Sequence, residues 1–149
     1  MRETITAALK HATKAQDKRR MSTLRLMSAA IKDRDIAART AGKTEATDAE
    51  LLELFAKMIK QREESEKIYA DAGRAELAGQ EAEEIAIIRE FLPTQLSGQE
   101  MDKAVVEAIA KAGASSVKDM GKVMAELKAR YAGQMDFAKA SALVKAKLG

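Results

Sequence analysis

Signals for the start of helices recur along this chain. At three places a hydroxyl residue is followed three positions later by a carboxylate, and in such a pair the hydroxyl accepts a hydrogen bond from a free N–H group at the helix start. The pairs are Thr47 with Glu50, Ser97 with Glu100, and Ser116 with Asp119. Asp136 can cap a further helix in the same way. These caps predict a chain built from several separately started helices.

Glycines and one proline mark where these helices should end. Only glycine adopts a left-handed backbone without strain, so it commonly follows the last residue of a helix. The glycines in such positions are Gly42, Gly73, Gly113 and Gly133. Pro93 disfavours helical geometry at Leu92 and ends the helix before it. Together the signals predict seven helices, near 2–15, 17–40, 48–72, 75–91, 98–112, 117–132 and 137–148.

Composition and apolar spacing favour an all-α fold with two parts. Aromatic residues make up only 3% of the chain, and alanine, lysine, glutamate and leucine dominate it. Positions of an apolar face recur at helical spacing in the second helix (Met21, Leu24, Ser28, Ile31) and in the third (Leu51, Leu52, Phe55, Met58, Ile59). We therefore predict a long antiparallel hairpin with flanking helices in residues 1–92, a linker at 93–97, and a three-helix bundle in residues 98–149.

The chain lacks the residues that many classes of site require. It has no cysteine and a single histidine, which excludes a zinc finger, an iron–sulfur cluster or a cysteine nucleophile. No segment has the length and apolarity of a signal peptide or a membrane span, so we expect a soluble, cytoplasmic protein without a membrane partner. We predict no metal and no cofactor.

The modest net charge of +3 conceals a segregation along the chain. Residues 1–39 contain ten basic and four acidic residues, residues 40–93 seven and thirteen, and residues 94–149 nine and six. Such asymmetry indicates either a polyanionic partner or acidic and basic helices that attract each other within a bundle.

Four cations recur at intervals of seven on the predicted second helix: Lys18, Arg25, Lys32 and Arg39. Seven residues fall about 20° short of two full turns, so the four side chains form a slowly drifting stripe. Successive members stand about 10.5 Å apart, a spacing that can follow phosphates along a nucleic-acid backbone. The alternative is pairing with carboxylates of the third and fourth helices, and the predicted hairpin favours that alternative.

A second cluster of cations lies near the C-terminus. An apolar seam of Val117, Met120, Met124, Leu127 and Tyr131 predicts a core face in which both methionines fill gaps between helices. Lysines point away from the core: Lys118, Lys122, Lys139 and Lys145 are candidate contacts for RNA. Gly121 costs the helix roughly 0.8–1 kcal/mol relative to alanine, which implies close approach of another helix, the favoured interpretation, or of a ligand.

Motifs of the common enzyme classes are missing. The sequence contains no Gly-rich phosphate loop, no Gly-x-Ser-x-Gly turn and no His-Glu-x-x-His pair, so we predict no catalytic residue. His11 has no carboxylate at helical spacing and is expected to be a surface residue. Acidic clusters at 62–66 and 81–84 could bind a hard cation, but solvated helix faces explain them better.

Several segments resemble the GatB/YqeY family. "KDMGKVMAELKARYAG", followed by "MD" and "LVKAKL", resembles the family's C-terminal pattern. "STLRLMSAAIKDRDIAAR", "MIKQREES" and "AGRAELAGQEAEEIAIIREFLPTQLS" resemble its stand-alone members, so the resemblance covers nearly the full chain. It implies a helical hairpin domain followed by a three-helix tail.

The resemblance also implies a role. In the glutamine-dependent aminoacyl-tRNA amidotransferase, the similar tail of the B subunit helps to hold tRNA, and some glutaminyl-tRNA synthetases carry a similar appendage. We therefore expect a non-catalytic, tRNA-binding or aminoacyl-tRNA-related accessory protein. The alternatives are a helical adaptor for a synthetase or amidotransferase and, by family association only, a component of a carbon–nitrogen ligase system that uses glutamine as amido-N-donor.

Overall fold

Seven α-helices and one 3₁₀ turn build the protein, and no strand is present. The computed structural model describes residues 1–149. In chain order the elements are α1 (Arg2–Lys14), α2 (Lys18–Thr40), α3 (Asp48–Asp71), α4 (Ala75–Arg89), α5 (Gly98–Ala112), a 3₁₀ turn (Val117–Asp119), α6 (Met120–Tyr131) and α7 (Phe137–Leu148). The all-α prediction is confirmed, and most helix ends lie within one or two residues of the predicted positions.

Local capping explains most of these starts. At α5 the capping box is complete: the Ser97 hydroxyl accepts from the Glu100 N–H at 3.2 Å, and the Glu100 carboxylate accepts from the Ser97 N–H at 3.1 Å. Thr47 accepts from the Glu50 N–H at 3.2 Å, which starts α3. The Asp136 carboxylate accepts from the Ala138 N–H at 2.9 Å at the start of α7.

Two starts differ from the prediction. Ser116 makes no capping bond, and the Asp119 carboxylate instead accepts from the Ser115 N–H at 3.1 Å, so the chain enters α6 through a 3₁₀ turn. The cap of α2 is Asp17, which accepts from the Arg20 N–H at 3.1 Å. Just before it, Gln16 adopts a φ of 57°. The predicted glycines do end or follow helices, as at Gly113, where φ is 63°.

Contacts divide the chain into two compact units, residues 1–93 and 94–149. Two residues of the predicted linker are hydrogen-bonded within the second unit. The Leu96 N–H donates to the Gln134 carbonyl at 2.8 Å, and the Gln95 side chain donates to the Gly133 carbonyl.

In the first unit, each long helix covers its apolar face mainly with a shorter neighbour. The most extensive packing joins α3 to α4, followed by α1 to α2, and α4 also packs on α2. The direct contact between α2 and α3 is small, which differs from a hairpin that closes on itself. The core contains residues from all four helices, including Ile5, Leu24, Met27, Leu51, Phe55 and Ile88.

The second unit has its own core between α5, α6 and α7. Its fully buried residues include Val105, Val123, Leu127, Ala140 and Val144. Met120 and Met124 are half-buried against this core. The predicted seam is wrong at its first position, because Val117 is 44% exposed, and it misses Val123, which is completely buried. Val117 lies in the 3₁₀ turn before α6, so it does not continue the face of that helix.

The helices of this protein are unsuited to crossing a bilayer, since none is both long and apolar enough to span it.

Candidate nucleic-acid interface

The basic stripe lies on one uninterrupted helix. All four members, Lys18, Arg25, Lys32 and Arg39, belong to α2 and are exposed. Its opposite face carries Leu24, Met27 and Ile31 into the core. At about 1.5 Å per residue the stripe is roughly 32 Å long. Three of its members, Lys18, Arg25 and Lys32, form no ion pair or hydrogen bond within the chain, so their charges face solvent.

Other cations of α2 make the ion pairs that the stripe was expected to make. Arg19 Nε lies 3.2 Å from Glu83 Oε2 on α4, and Arg20 pairs with Glu90, the residue that follows α4. Arg34 Nε lies 3.8 Å from Glu50 Oε2 on α3. The favoured alternative, neutralisation of the stripe by these helices, is therefore wrong for Lys18, Arg25 and Lys32. Positions one or two residues away reach the acidic helices because α4 packs on that side of α2.

Arg39 differs from the other members of the stripe. Its Nε donates to the Thr44 carbonyl at 3.4 Å, which ties the end of α2 to the following loop. Its positive charge also contributes to lowering the pKa of the Asp35 carboxyl, although hydrogen bonds from Arg2 and Ala46 lower it more. Arg39 is thus partly used by the fold, and Arg25 and Lys32 are the members most available to a ligand.

A hydrogen-bonded clamp lies beside Lys32. Arg2 of α1 binds Asp35 of α2 through two nitrogens, Nη2 to Oδ1 at 2.6 Å and Nε to Oδ2 at 3.3 Å. Arg2 Nη2 also donates to the Ala46 carbonyl at 2.6 Å, and the Ala46 N–H donates to Asp35 Oδ1 at 2.9 Å. The guanidinium lowers the pKa of the Asp35 carboxyl, and the Ala46 N–H lowers it further. The clamp fixes α1, α2 and the loop before α3 to one another.

The tail lysines Lys118, Lys122, Lys139 and Lys145 are all exposed and unpaired. Lys118 and Lys122 are one turn apart across the 3₁₀ turn and α6. The end of α7 reaches the same place, because a Cβ built on Gly149 would stand 4.0 Å from Val117 Cγ2. Lys118, Lys122 and Lys145 therefore share one end of the second unit. Lys139 lies roughly 9 Å further along α7 from Lys145, at about 1.5 Å per residue, toward the opposite end.

Different lysines make the ion pairs of the second unit. Lys111 Nζ lies 2.8 Å from Glu126 Oε1, and Lys147 Nζ lies 3.0 Å from Asp102 Oδ1. Arg130, which was not predicted as a contact, has its guanidinium 5.6 Å from the centre of the Tyr131 ring at the end of α6. Only its place next to an aromatic residue in the last turn of that helix could have suggested it.

Gly121 is exposed on α6, and a Cβ at this position would meet nothing within 4 Å. The favoured interpretation, close packing of another helix within the chain, is therefore wrong. Its backbone is helical rather than left-handed, so no turn requires a glycine here either. The fold itself gives no reason for this residue, which lies between Lys118 and Lys122 on the surface.

The acidic clusters serve the packing of helices. Arg62 Nε lies 2.9 Å from Glu84 Oε2, and Arg89 Nη2 lies 2.8 Å from Glu63 Oε1, so both pairs join α3 to α4. Burial raises the pKa of Glu81, and the neighbouring Glu84 raises it further. No group of three acidic or histidine side chains in residues 1–149 is placed to hold a metal ion. Three members of the clusters, Glu63, Glu83 and Glu84, are thus ion-paired rather than simply solvated, and the remaining glutamates of the clusters make no ion pair.

The chain matches a family model and a curated relative. A family model described as "Yqey-like protein" matches residues 2–148. The chain belongs to the YqeY-like family. A curated relative, "Altered inheritance of mitochondria protein 41, mitochondrial" of Vanderwaltozyma polyspora, is 34% identical over 99 residues, which cover 65% of this chain. The match spans about half of that relative, 52% of its length. The resemblance to the YqeY-like family in the sequence is thereby confirmed.

Proposed function

We propose that this YqeY-like protein is a non-catalytic accessory protein that binds tRNA or another structured RNA through basic helix faces. The candidate contacts are Lys18, Arg25, Lys32 and Arg39 on α2, and Lys118, Lys122, Lys139 and Lys145 in the second unit. The observation that carries the proposal is that seven of these eight cations form no bond within the chain, while neighbouring cations do.

Cationic side chains that form no ion pair within the chain support binding of a polyanionic ligand. Binding to RNA releases counterions from the phosphates that the protein neutralises, so each unpaired cation at the interface strengthens binding. An ion pair within the protein would have to be broken first. The stripe offers several such cations in one row on a rigid helix.

The small number of aromatic side chains supports binding of a structured RNA rather than of a single strand. Proteins that bind single strands stack successive bases on aromatic rings. Here Tyr69 and Tyr131 are half-buried, and all aromatics together make up 3% of the chain. Recognition of the shape and phosphates of a folded RNA needs no such platform.

The proposal is tested by electrophoretic binding of the purified protein to total tRNA across a salt series. We expect affinity to fall steeply with salt, and each of the reversals Lys32→Glu and Lys122→Glu to weaken binding of all tRNAs equally, since phosphates carry no sequence information. Binding that is independent of salt would refute the proposal.

A protein-binding adaptor is the second candidate. The exposed face of α2 carries Leu26 and Ile36, which are 47% and 59% exposed beside the basic stripe. A synthetase or amidotransferase subunit could cover them. Capture of such a partner that survives nuclease treatment and moderate salt would favour this role, whereas an RNA-bridged complex would dissociate.

Participation in glutamine-dependent carbon–nitrogen ligation follows from family resemblance alone. Incubation of the pure protein with glutamine and mischarged tRNA tests it, and we expect no amidation. The cytoplasmic location also remains a prediction, which fractionation of cells expressing the tagged protein would test, because the relative's printed name places that relative in mitochondria.

A further inference from the structure

A small cavity lies between α1 and α2 in the first unit, directly beside the basic stripe. Its volume is about 190 Å³. Ile5 and Ile31, both almost completely buried, form an apolar floor. The rest of the lining is polar: Arg2 and Thr6 come from α1, and Ser28, Lys32 and Asp35 come from α2. The cavity therefore combines an apolar surface with hydrogen-bonding groups and charge.

Ser28 is a polar residue at a position where the helical pattern of α2 calls for an apolar one. It lies on the same seam as the buried Leu24 and Ile31, yet its hydroxyl forms no hydrogen bond within the chain. Five other helical hydroxyls donate to the carbonyl four residues earlier, those of Thr6, Thr13, Thr23, Thr40 and Ser65. The Ser28 hydroxyl thus remains available to donate to, or accept from, an occupant of the cavity.

Lys32 supplies the cavity's uncompensated charge. Arg2 and Asp35 neutralise each other across one end of the cavity. Lys32 has no such partner, and it belongs both to the cavity lining and to the stripe. A ligand can therefore place a phosphate on Lys32 while a second group enters between the helices.

The size of the cavity suits one small ring. A cavity of about 150 Å³ lined by aliphatic side chains accommodates benzene. Proteins that recognise folded RNA commonly take up bases that have left the stack and contact them with apolar side chains and hydrogen bonds. A pyrimidine presents a single ring, with one face to lie on the floor of Ile5 and Ile31 and an edge for Ser28.

We infer that this cavity receives one extruded pyrimidine base of the bound RNA, with the adjoining phosphate on Lys32. This inference rests on the proposed function, because the phosphate contact belongs to the same stripe. It adds a preference that the stripe alone cannot give: the protein distinguishes RNAs with an unpaired pyrimidine from RNAs without one.

The test compares two short RNA duplexes that differ at one bulged nucleotide, a uridine in one and an abasic residue in the other. Both keep the same phosphates and the same bulge position, and they differ by the presence of the base. We expect the wild-type protein to bind the uridine bulge about fivefold more tightly, the effect of removing roughly 40 Å² of apolar base surface from water. Ser28→Leu fills the cavity and should abolish the preference without changing the salt dependence. Ser22→Leu, at an exposed position of the same helix, is the matched control and should keep it.

A second measurement needs no variant. 4-Thiouridine at the bulge should photocrosslink to the wild-type protein within residues 2–6 or 28–35. Equal affinity for the two duplexes, or crosslinking elsewhere, would overturn this inference. The proposed function would still hold in that case if binding to RNA depended on salt. Uridine 5′-monophosphate that displaces the bulged RNA at equal concentration would identify a free nucleotide as the ligand and also overturn it. Absence of any RNA binding would refute the proposed function and this inference together.

Discussion

The two faces of α2 run along the same helix, but one packs against the rest of the first unit and the other faces solvent. On one face, Leu24 and Met27 are completely buried, and Arg19 and Arg20 bind carboxylates in α4 and directly after it. On the other, Lys18, Arg25 and Lys32 touch no partner, and Leu26 and Ile36 are exposed. The first face is what the chain needs in order to fold. The second adds little to folding, which makes it the surface on which a ligand-binding role should be sought.

The largest expected effect is a difference in the free energy of unfolding between variants on the two faces of α2. Met27→Ala should lower the free energy of unfolding by about 2–5 kcal/mol, because it leaves a cavity in the core. Leu26→Ala, the adjacent residue on the exposed face, should change it by less than about 0.5 kcal/mol. Urea unfolding of both variants measures the contrast. A similar loss for the two would mean that the exposed face is packed in solution.

Gly121 extends the comparison to the second unit. Gly121→Ala should stabilise the protein by roughly 0.8–1 kcal/mol, since alanine favours the helix and the added methyl group meets open space. The matched control is Gly113→Ala, which also meets open space but has a φ of 63°. It should destabilise by about 1–2 kcal/mol, the cost of a left-handed alanine.

Gly121→Ala should lower the affinity for tRNA although it raises the stability of the protein. If a ligand approaches the backbone between Lys118 and Lys122, the more stable variant should bind tRNA less tightly. Thermal unfolding and electrophoretic binding of the same sample give both values. Unchanged affinity in a stabilised variant would remove this surface from the interface.

A smaller effect is expected from the clamp beside the stripe, and it depends on pH. The pKa of Asp35 lies below its ordinary value of 3.8 in the folded protein, because Arg2 and the Ala46 N–H bind the ionised form. The resulting stabilisation is complete above that ordinary value and is lost as pH falls through it toward the lower, folded-state pKa. Asp35→Asn should therefore lower the melting temperature by a few degrees at pH 7, and the difference should shrink below about pH 4.

The control for this prediction is Asp33→Asn. Asp33 is exposed on the same helix and forms no bond within the chain, so its replacement should leave the melting temperature nearly unchanged at both pH values. If the difference in melting temperature between the wild type and Asp35→Asn persisted or grew in acid, the clamp would not depend on the ionised carboxylate of Asp35.

The helices were predictable because their ends depend on neighbouring residues. Ser97 with Glu100 and the left-handed Gly113 fix both ends of α5 within the segment itself. Where a local signal was absent or misleading, the prediction failed, as at Ser116. The cap by Asp17 was missed because the residue three positions later is Arg20 rather than a carboxylate, so the paired pattern was absent.

The choice between paired and unpaired cations was not predictable. Arg20 and Arg25 lie five residues apart on α2, and the side of α2 on which α4 packs decides which of them meets a carboxylate. The cavity beside Lys32 likewise depends on where α1 approaches α2. In the sequence, Ser28 is simply one member of an apolar seam, and nothing there indicates that its hydroxyl lacks a partner.

The central claim is that cations unused by the fold bind RNA phosphates, and the salt dependence of tRNA binding tests it most directly. The variant Arg25→Gln/Lys32→Gln should keep the stability of the wild type and reduce the slope of log affinity against log salt by about two units. The matched variant Arg19→Gln/Arg20→Gln removes the same charge but should keep the slope, while losing about 0.2–1 kcal/mol of stability per ion pair. Equal reductions of the slope in both variants, or none in the first, would contradict the account.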